Sequence, residues 1–260
     1  MINYGLVSII SSSYNSSRFI SQSIESILSQ TYTNWELLIT DDCSTDNTWE
    51  IVTSYQRKDP RIRLFQLEEN SGPGIARNYS IERAKGRFIA FCDSDDWWYP
   101  EKLEKQLAFM QEKNCALSYT SYMVCNKRQT ITSIVFSLSK ITYTTLKRDN
   151  VIGCSTAIYD VEKVGKMYFP DIRKRQDWGL WLHILKKVNV AYGMKEPLSV
   201  YRMQEMSLSF NKLSLIRYNI AVYRQVLKYP LLLAYMSFWM INMPCYFVKK
   251  IRLYILNLKK

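Results

Sequence analysis

Apolar and polar residues alternate in blocks through the first hundred positions. Four short apolar runs are typical of buried strands, at Leu6 to Ser11, Trp35 to Thr40, Ile62 to Leu67 and Phe88 to Cys92. Segments with helical spacing of apolar residues lie between them, at Ile20 to Leu28, from Trp49 onward and at Ile75 to Ala84. This order predicts an α/β fold with a mostly parallel central sheet flanked by helices.

The second hundred residues give weaker signals. Pro100 suits the first turn of a helix that carries Leu103, Leu107 and Met110. Residues 115–158 are rich in Tyr, Thr, Val and Ser and predict irregular strands, and residues 178–188 predict another helix. We expect one domain over residues 1–210, with a nucleotide-binding half (1–100) and an acceptor half (101–210), followed by a helical C-terminal segment (211–260).

Polar clusters follow each of the four predicted strands, at residues 11–15, 41–46, 70–74 and 93–96. Ligands of such sheets bind at the carboxyl ends of the strands, so the clusters predict one shared site. Asp93, Asp95 and Asp96 crowd three like charges into four positions, which indicates that a cation belongs there. The alternative is a helix N-terminus that is rich in acidic residues.

The net charge of the chain narrows the classes of molecule that it is expected to bind. The 260 residues include 35 Lys and Arg against 23 Asp and Glu, a net charge of +12, which favours a nucleotide, a nucleic acid or an anionic lipid surface. Because the basic residues are dispersed or concentrated in the tail, and no nucleic-acid-binding motif occurs, we expect no nucleic acid partner. A basic nucleic-acid-binding protein and a sugar-nucleotide nucleotidyltransferase remain the alternative functions.

Five ordered segments are similar to those of one enzyme family: VSIISSSYN, ELLITDDCSTDNT, ENSGPGIARNYSIERAKGRFIAFCDSDD, RQDWGLWL and VYR. Over roughly Leu6 to Tyr201 the chain resembles a family 2 glycosyltransferase with the GT-A fold. It departs from the family pattern at Ser12 (usually Pro), Cys43 (usually Gly), Gln176 (usually Glu) and His183 (often basic).

The resemblance implies an inverting, metal-dependent transfer of a sugar from a UDP-sugar to a hydroxyl of a surface glycan carried on a polyprenyl diphosphate. A dTDP-sugar or GDP-sugar donor stays open. Asp95 is the expected metal ligand, Asp93 contacts the ribose or shares the metal, and Asp96 supports them. Mn²⁺ or Mg²⁺ suits such oxygen ligands and would neutralise the leaving diphosphate.

The nucleotide pocket is expected to consist of Ser12, Tyr14, Asp41, Asp42 and Arg77. Asp42 would accept the N3–H of uracil, and Tyr14 would stack on the base. Helix capping is the alternative role for Asp41, Asp42 and Asp46, and core packing is the alternative for Tyr14.

Asp177 is the expected general base, because an inverting displacement needs a carboxylate opposite the leaving group. Trp178, Trp181 and Gln176 are expected on the acceptor side. Helix capping is the alternative for Asp177, and Asp171 and Glu205 are the alternative bases. We expect His183 to be a core or helix-face residue.

The tail is apolar from Leu231 to Val248 and then basic over residues 249–252. A segment lying on an anionic membrane surface, a membrane span and a helix packed on the domain all fit this pattern. Six cysteines without a CxxC pair and a start without signal-peptide features predict a cytoplasmic protein associated with the inner face of the cell membrane.

Overall fold

The structure is a computed structural model that describes residues 2–126, 128–203 and 212–248. Its strands are β1 Val7–Ser13, β2 Trp35–Asp41, β3 Ile62–Gln66, β4 Phe88–Phe91, β5 Trp97–Trp98, β6 Leu117–Cys125, β7 Ile131–Val135, β8 Lys140–Thr142, β9 Ile158–Asp160 and β10 Val190–Arg202. Its α-helices are α1 Ile20–Leu28, α2 Thr48–Gln56, α3 Pro73–Arg83, α4 Lys102–Glu112, α5 Tyr143–Leu146, α6 Val161–Val164, α7 Gln176–Val188, α8 Lys212–Ala221 and α9 Leu231–Ser237. A 3-10 turn covers Cys154–Thr156, and π-helical turns cover Val222–Val226 and Phe238–Asn242.

One mixed sheet runs in the order β3-β2-β1-β4-β9-β6-β10-β5, with β7 paired to β6 and β8 paired to β10. The strands β3, β2, β1 and β4 are parallel, as the βαβ pattern predicts. Beyond β4 the pairs β4–β9 and β6–β9 are antiparallel, and β6–β10 is parallel again. The predicted α/β class is confirmed, with the parallel part confined mainly to the first hundred residues.

Two hydrophobic clusters cover the two faces of the sheet. Alternate residues of β1 point to opposite faces, so Ile9 packs with α1, α2 and α4, whereas Ile10 packs with α3, α7 and the C-terminal helices. The first four strands and three helices lie within two or three residues of their predicted bounds. Because both faces are buried, the strands read as continuous apolar runs in the sequence.

The C-terminal helix, which extends from Leu231 to Val248, packs on the domain along one side only. Ala234, Phe238 and Asn242 are buried against the domain. By length and composition, this is the helix among the described residues that is apolar enough to cross a membrane. The predicted basic stretch at 249–252 and the alternative base Glu205 lie outside the described residues.

Candidate active site

A cleft of about 1700 Å³ opens at the carboxyl ends of β1, β2 and β4. The residues predicted for the site that line it are Ser12, Tyr14, Asp42, Arg77, Asp93, Asp95, Asp96, Gln176 and Asp177. The sheet brings them together because parallel strands end at the same edge. The cleft continues to Pro244, Cys245 and Val248 of the C-terminal helix.

Tyr14 lies in the loop after β1 and lines the cleft. Its side chain is 48% exposed, so it does not pack in the core, which was its alternative role. The next residue, Asn15, has a left-handed φ of 48° and accepts a hydrogen bond from the Thr45 amide at 2.8 Å. The loops after β1 and β2 are therefore tied together beneath an aromatic ring that is available to a ligand.

Asp42 directly follows β2 and is buried against the residues that precede α3. Its two carboxylate oxygens accept hydrogen bonds from the backbone amides of Ser71 and Gly72 at 2.7 and 2.8 Å. Gly72 has a φ of 95°, a conformation that glycine adopts without strain, and Pro73 begins the helix. Burial raises the pKa of Asp42. The carboxylate holds this loop, and its contact with a base stays a prediction.

Asp41 does not reach the cleft. It is fully buried and accepts hydrogen bonds from Ser13 and Ser44. The expected ligand contact of Asp41 is therefore wrong, because no part of the side chain is accessible. Cys43, where the family usually has glycine, adopts a φ of 62°, which explains that preference.

The acidic loop, residues 93–96, is held from three directions. Arg77 donates to Asp93 Oδ1 at 2.5 Å. Asp96 accepts from the Ser155 hydroxyl at 2.5 Å and from the Arg202 amide at 3.0 Å. Burial, followed by the charges of Asp95 and Asp93, raises the pKa of Asp96 well above its ordinary value. The loop is thus held at a fixed position, with Asp93 and Asp95 lining the cleft.

These oxygen ligands fit Mn²⁺ or Mg²⁺ when the substrate completes the coordination. In the described part of the chain, no group of three or more Asp, Glu, Cys or His side chains is arranged to hold a metal ion. Asp93 and Asp95 line the cleft, whereas both oxygens of the buried Asp96 accept protein hydrogen bonds. Two carboxylates plus substrate phosphates are the ligand set that Mg²⁺ commonly uses.

Asp177 lies in the first turn of α7 and lines the same cleft. Asn150 donates to its Oδ2 at 2.7 Å, and burial raises its pKa. The N-cap position of α7 is occupied by Arg175, not by Asp177. Gly179 holds the start of the helix close to Pro170, since an added Cβ would lie 2.4 Å from Pro170 Cγ.

Trp178 and Trp181 belong to the core. They are 1% and 0% exposed. Trp178 Nε1 donates to the Leu146 carbonyl at 2.7 Å, and the Trp181 ring packs edge-on against Phe91. The expected contact of both rings with an acceptor sugar is therefore corrected: they anchor α7. Gln176 is 7% exposed at the cleft wall.

Several residues of the site were not identified from the sequence. Ser155 and Arg202 hold Asp96, and Asn150 holds Asp177. Arg202 is the last residue of the VYR segment, so this family motif could have identified it as a site residue. Ser155 and Asn150 fall in the irregular region, where neither periodicity nor a motif points to them.

The glycosyl transferase family 2 model matches residues 8–160. TuaG of Bacillus subtilis, whose name assigns it to teichuronic acid biosynthesis, is 44% identical over 85% of this chain and 88% of TuaG. WfgD of Escherichia coli, named as a UDP-Glc:α-D-GlcNAc-diphosphoundecaprenol β-1,3-glucosyltransferase, is 43% identical over 80% of this chain and 81% of WfgD.

Among solved structures, S. aureus TarS in complex with UDP-GlcNAc superposes with a TM-score of 0.64 and 26% identity. The match covers 77% of this chain and 59% of the TarS chain. The fold, the site geometry and these similarities agree. The chain belongs to glycosyl transferase family 2 and is a glycosyltransferase of surface-polysaccharide biosynthesis.

Proposed function

We propose that this enzyme transfers a sugar from a UDP-sugar, with inversion, to a hydroxyl of a glycan linked to a polyprenyl diphosphate. One observation carries the proposal: Tyr14, Asp42, the acidic loop and Asp177 line a single cleft. The UDP-GlcNAc complex of TarS and the lipid-diphosphate acceptor in the name of WfgD support the donor and acceptor classes.

The proposed reaction is a single displacement. The acceptor hydroxyl attacks the anomeric carbon as the bond from that carbon to the diphosphate oxygen breaks, and its proton passes to Asp177. The raised pKa of Asp177 makes it a stronger base than an exposed aspartate. Asp93 and Asp95 would hold Mn²⁺ or Mg²⁺, which would neutralise charge on the diphosphate.

We place Tyr14 on the face of the uracil ring and Ser12 and Arg77 along the donor. Arg77 is 5% exposed and is held by Asp93, so its guanidinium has a fixed position in the cleft wall. Gln176 remains the proposed acceptor contact of the α7 side.

The C-terminal helix is proposed to lie on the inner face of the cell membrane. Its outward residues are large and apolar and include Leu232 (74% exposed), Trp239 (56%), Met240 (70%) and Phe247 (54%). One buried side and one exposed apolar side suit a helix in the plane of the interface better than a span.

The decisive experiment uses the full chain with a panel of nucleotide sugars and a GlcNAc-diphosphate-lipid acceptor, with Mn²⁺ or with EDTA. We expect UDP-sugar turnover that EDTA abolishes and a product of inverted anomeric configuration by NMR. Asp177→Asn should lower transfer by roughly two to four orders of magnitude while UDP binding persists. Glu50→Gln is the matched control, because Glu50 is an exposed acid in the first turn of a helix, α2, and does not line the cleft.

Several outcomes contradict the proposal. Near-normal transfer by Asp177→Asn would move the search for the base to Asp171 or Glu205. An undiminished rate in EDTA, or normal turnover by Asp95→Ala, would exclude the metal site. Duplex DNA or RNA binding at physiological salt, with no turnover of any nucleotide sugar, would favour the nucleic-acid alternative.

A further inference from the structure

Basic side chains line the same cleft as Asp177 and the C-terminal helix. Arg148, Lys174 and Arg175 belong to this stretch of the wall, and Asp149 is the acidic neighbour of Arg148. The Arg148 carbonyl accepts a hydrogen bond from Asn242 of the C-terminal helix at 2.8 Å. Lys174 Nζ lies 5.6 Å from the centre of the Tyr218 ring on α8. Arg148 and Lys174 therefore lie beside the C-terminal helices, and Arg175 lines the same cleft.

Arg175 has two unfavourable features. Its φ is 65°, a left-handed conformation that costs a non-glycine residue of order 1–3 kcal/mol. Its Nε is buried and has no hydrogen-bond partner among the described residues. An unsatisfied buried donor is costly, and more so on a charged group. Both features occur two residues before Asp177, in a residue whose side chain lines the cleft.

The chemistry of these groups selects the ligand. A guanidinium presents parallel N–H donors that match phosphate oxygens, and arginine is favoured wherever phosphate is recognised. A neutral sugar gives no reason for three cations at one wall. The Arg175 charge also acts on Asp177. The donor diphosphate is already assigned to the acidic loop in the proposed function, so the phosphate groups left for these cations to recognise are those of the acceptor.

We propose that Arg148, Lys174 and Arg175 form a subsite for the diphosphate of a lipid-linked acceptor. The inference rests on the proposed function and adds the residues that recognise the acceptor. A sugar–diphosphate–lipid acceptor would then extend from Asp177, across the cations, to Pro244, Cys245 and Val248 at the apolar helix.

The test measures binding of farnesyl diphosphate and of farnesol to the full chain, with saturating UDP and Mn²⁺ to fill the donor site. We expect Arg175→Asn and Arg148→Gln each to weaken farnesyl diphosphate binding about tenfold or more, because one charged hydrogen bond contributes about 1.5–3 kcal/mol. Asn tolerates the left-handed conformation, so the start of α7 should persist. Arg224→Gln is the control, since Arg224 is exposed and does not line the cleft.

Three outcomes would overturn the subsite. Equal weakening of farnesol binding would indicate apolar recognition only, and lost UDP affinity would assign the arginines to the donor. Competition by glucuronate as strong as that by farnesyl diphosphate would indicate a carboxylate site. If the wild type turns over no UDP-sugar yet binds farnesyl diphosphate through Arg175, the proposed function fails while the subsite stands.

Discussion

Lys102 is a fully buried lysine on α4, behind the acidic loop. Its Nζ donates to Gln106 Oε1 at 2.9 Å and lies 4.1 Å from the centre of the Trp98 ring. In the described part of the chain, no carboxylate forms an ion pair with it. Burial lowers the pKa of Lys102 to about 7, and the neighbouring Cys92 is a smaller influence in the opposite direction.

This shift makes stability depend on pH with a definite sign. The unfolded lysine has a pKa of 10.5, so between pH 7 and 10.5 the unfolded chain binds more protons than the folded chain. The free energy of unfolding therefore rises with pH across that window and is constant below it. A difference of 10.5 − 7 = 3.5 units corresponds to about 5 kcal/mol, of which about 3 kcal/mol falls between pH 6 and pH 9.

Lys102→Met removes the titrating group and keeps the volume. We expect the stability of the variant relative to wild type to be greatest at pH 6 and to fall by about 3 kcal/mol by pH 9. Urea unfolding at intervals of half a pH unit measures this difference. Lys58→Met, at an exposed position of the same chain, is the matched control. A difference that stays constant with pH for Lys102→Met would refute the reasoning.

Three further predictions concern the site and the membrane. Asn150→Ala should lower transfer about tenfold and move the acidic limb of the pH profile of transfer to higher pH. In the wild type the hydrogen bond from Asn150 lowers the pKa of Asp177, so its removal raises that pKa. An acidic limb that does not move would exclude this positioning role. Tyr14→Ala should weaken UDP binding about tenfold in calorimetry without loss of stability, because the ring is exposed; unchanged affinity would exclude stacking. Trp239→Glu with Met240→Glu should abolish binding to anionic liposomes while donor hydrolysis persists; equal partitioning would exclude the helix as the membrane contact.

The sequence predicted the first half of the fold well because its signals are local. The strands β1 to β4 are continuous apolar runs, and α1 has regular helical spacing. The strand β10 was missed because Lys195, Glu196 and Pro197 interrupt its apolar pattern at the point where its pairing with β6 shifts. Its identity depends on a partner strand more than seventy residues earlier.

The site was predicted less completely, for two physical reasons. An aromatic residue beside a candidate base can face a ligand or the core, and periodicity did not distinguish these for Trp178 and Trp181. The hydrogen bonds from Ser155 and Arg202 to Asp96 join residues that are 59 and 106 positions apart. The residues next to them in the sequence show no pattern that would predict such long-range contacts.

The hydrogen bonds between Arg202 and the acidic loop can form only late in the synthesis of the chain. The Arg202 amide binds Asp96, its Nε binds the Asp95 carbonyl, and its terminal nitrogen binds Gln22 at 2.6 Å. During synthesis the N-terminal strands can assemble first, but closing a contact over 106 residues must wait for the end of β10. A nascent chain of 189 residues already carries every carboxylate of the loop, yet it lacks the strand that fixes them. The acidic loop is therefore fixed only after residue 202 has left the ribosome.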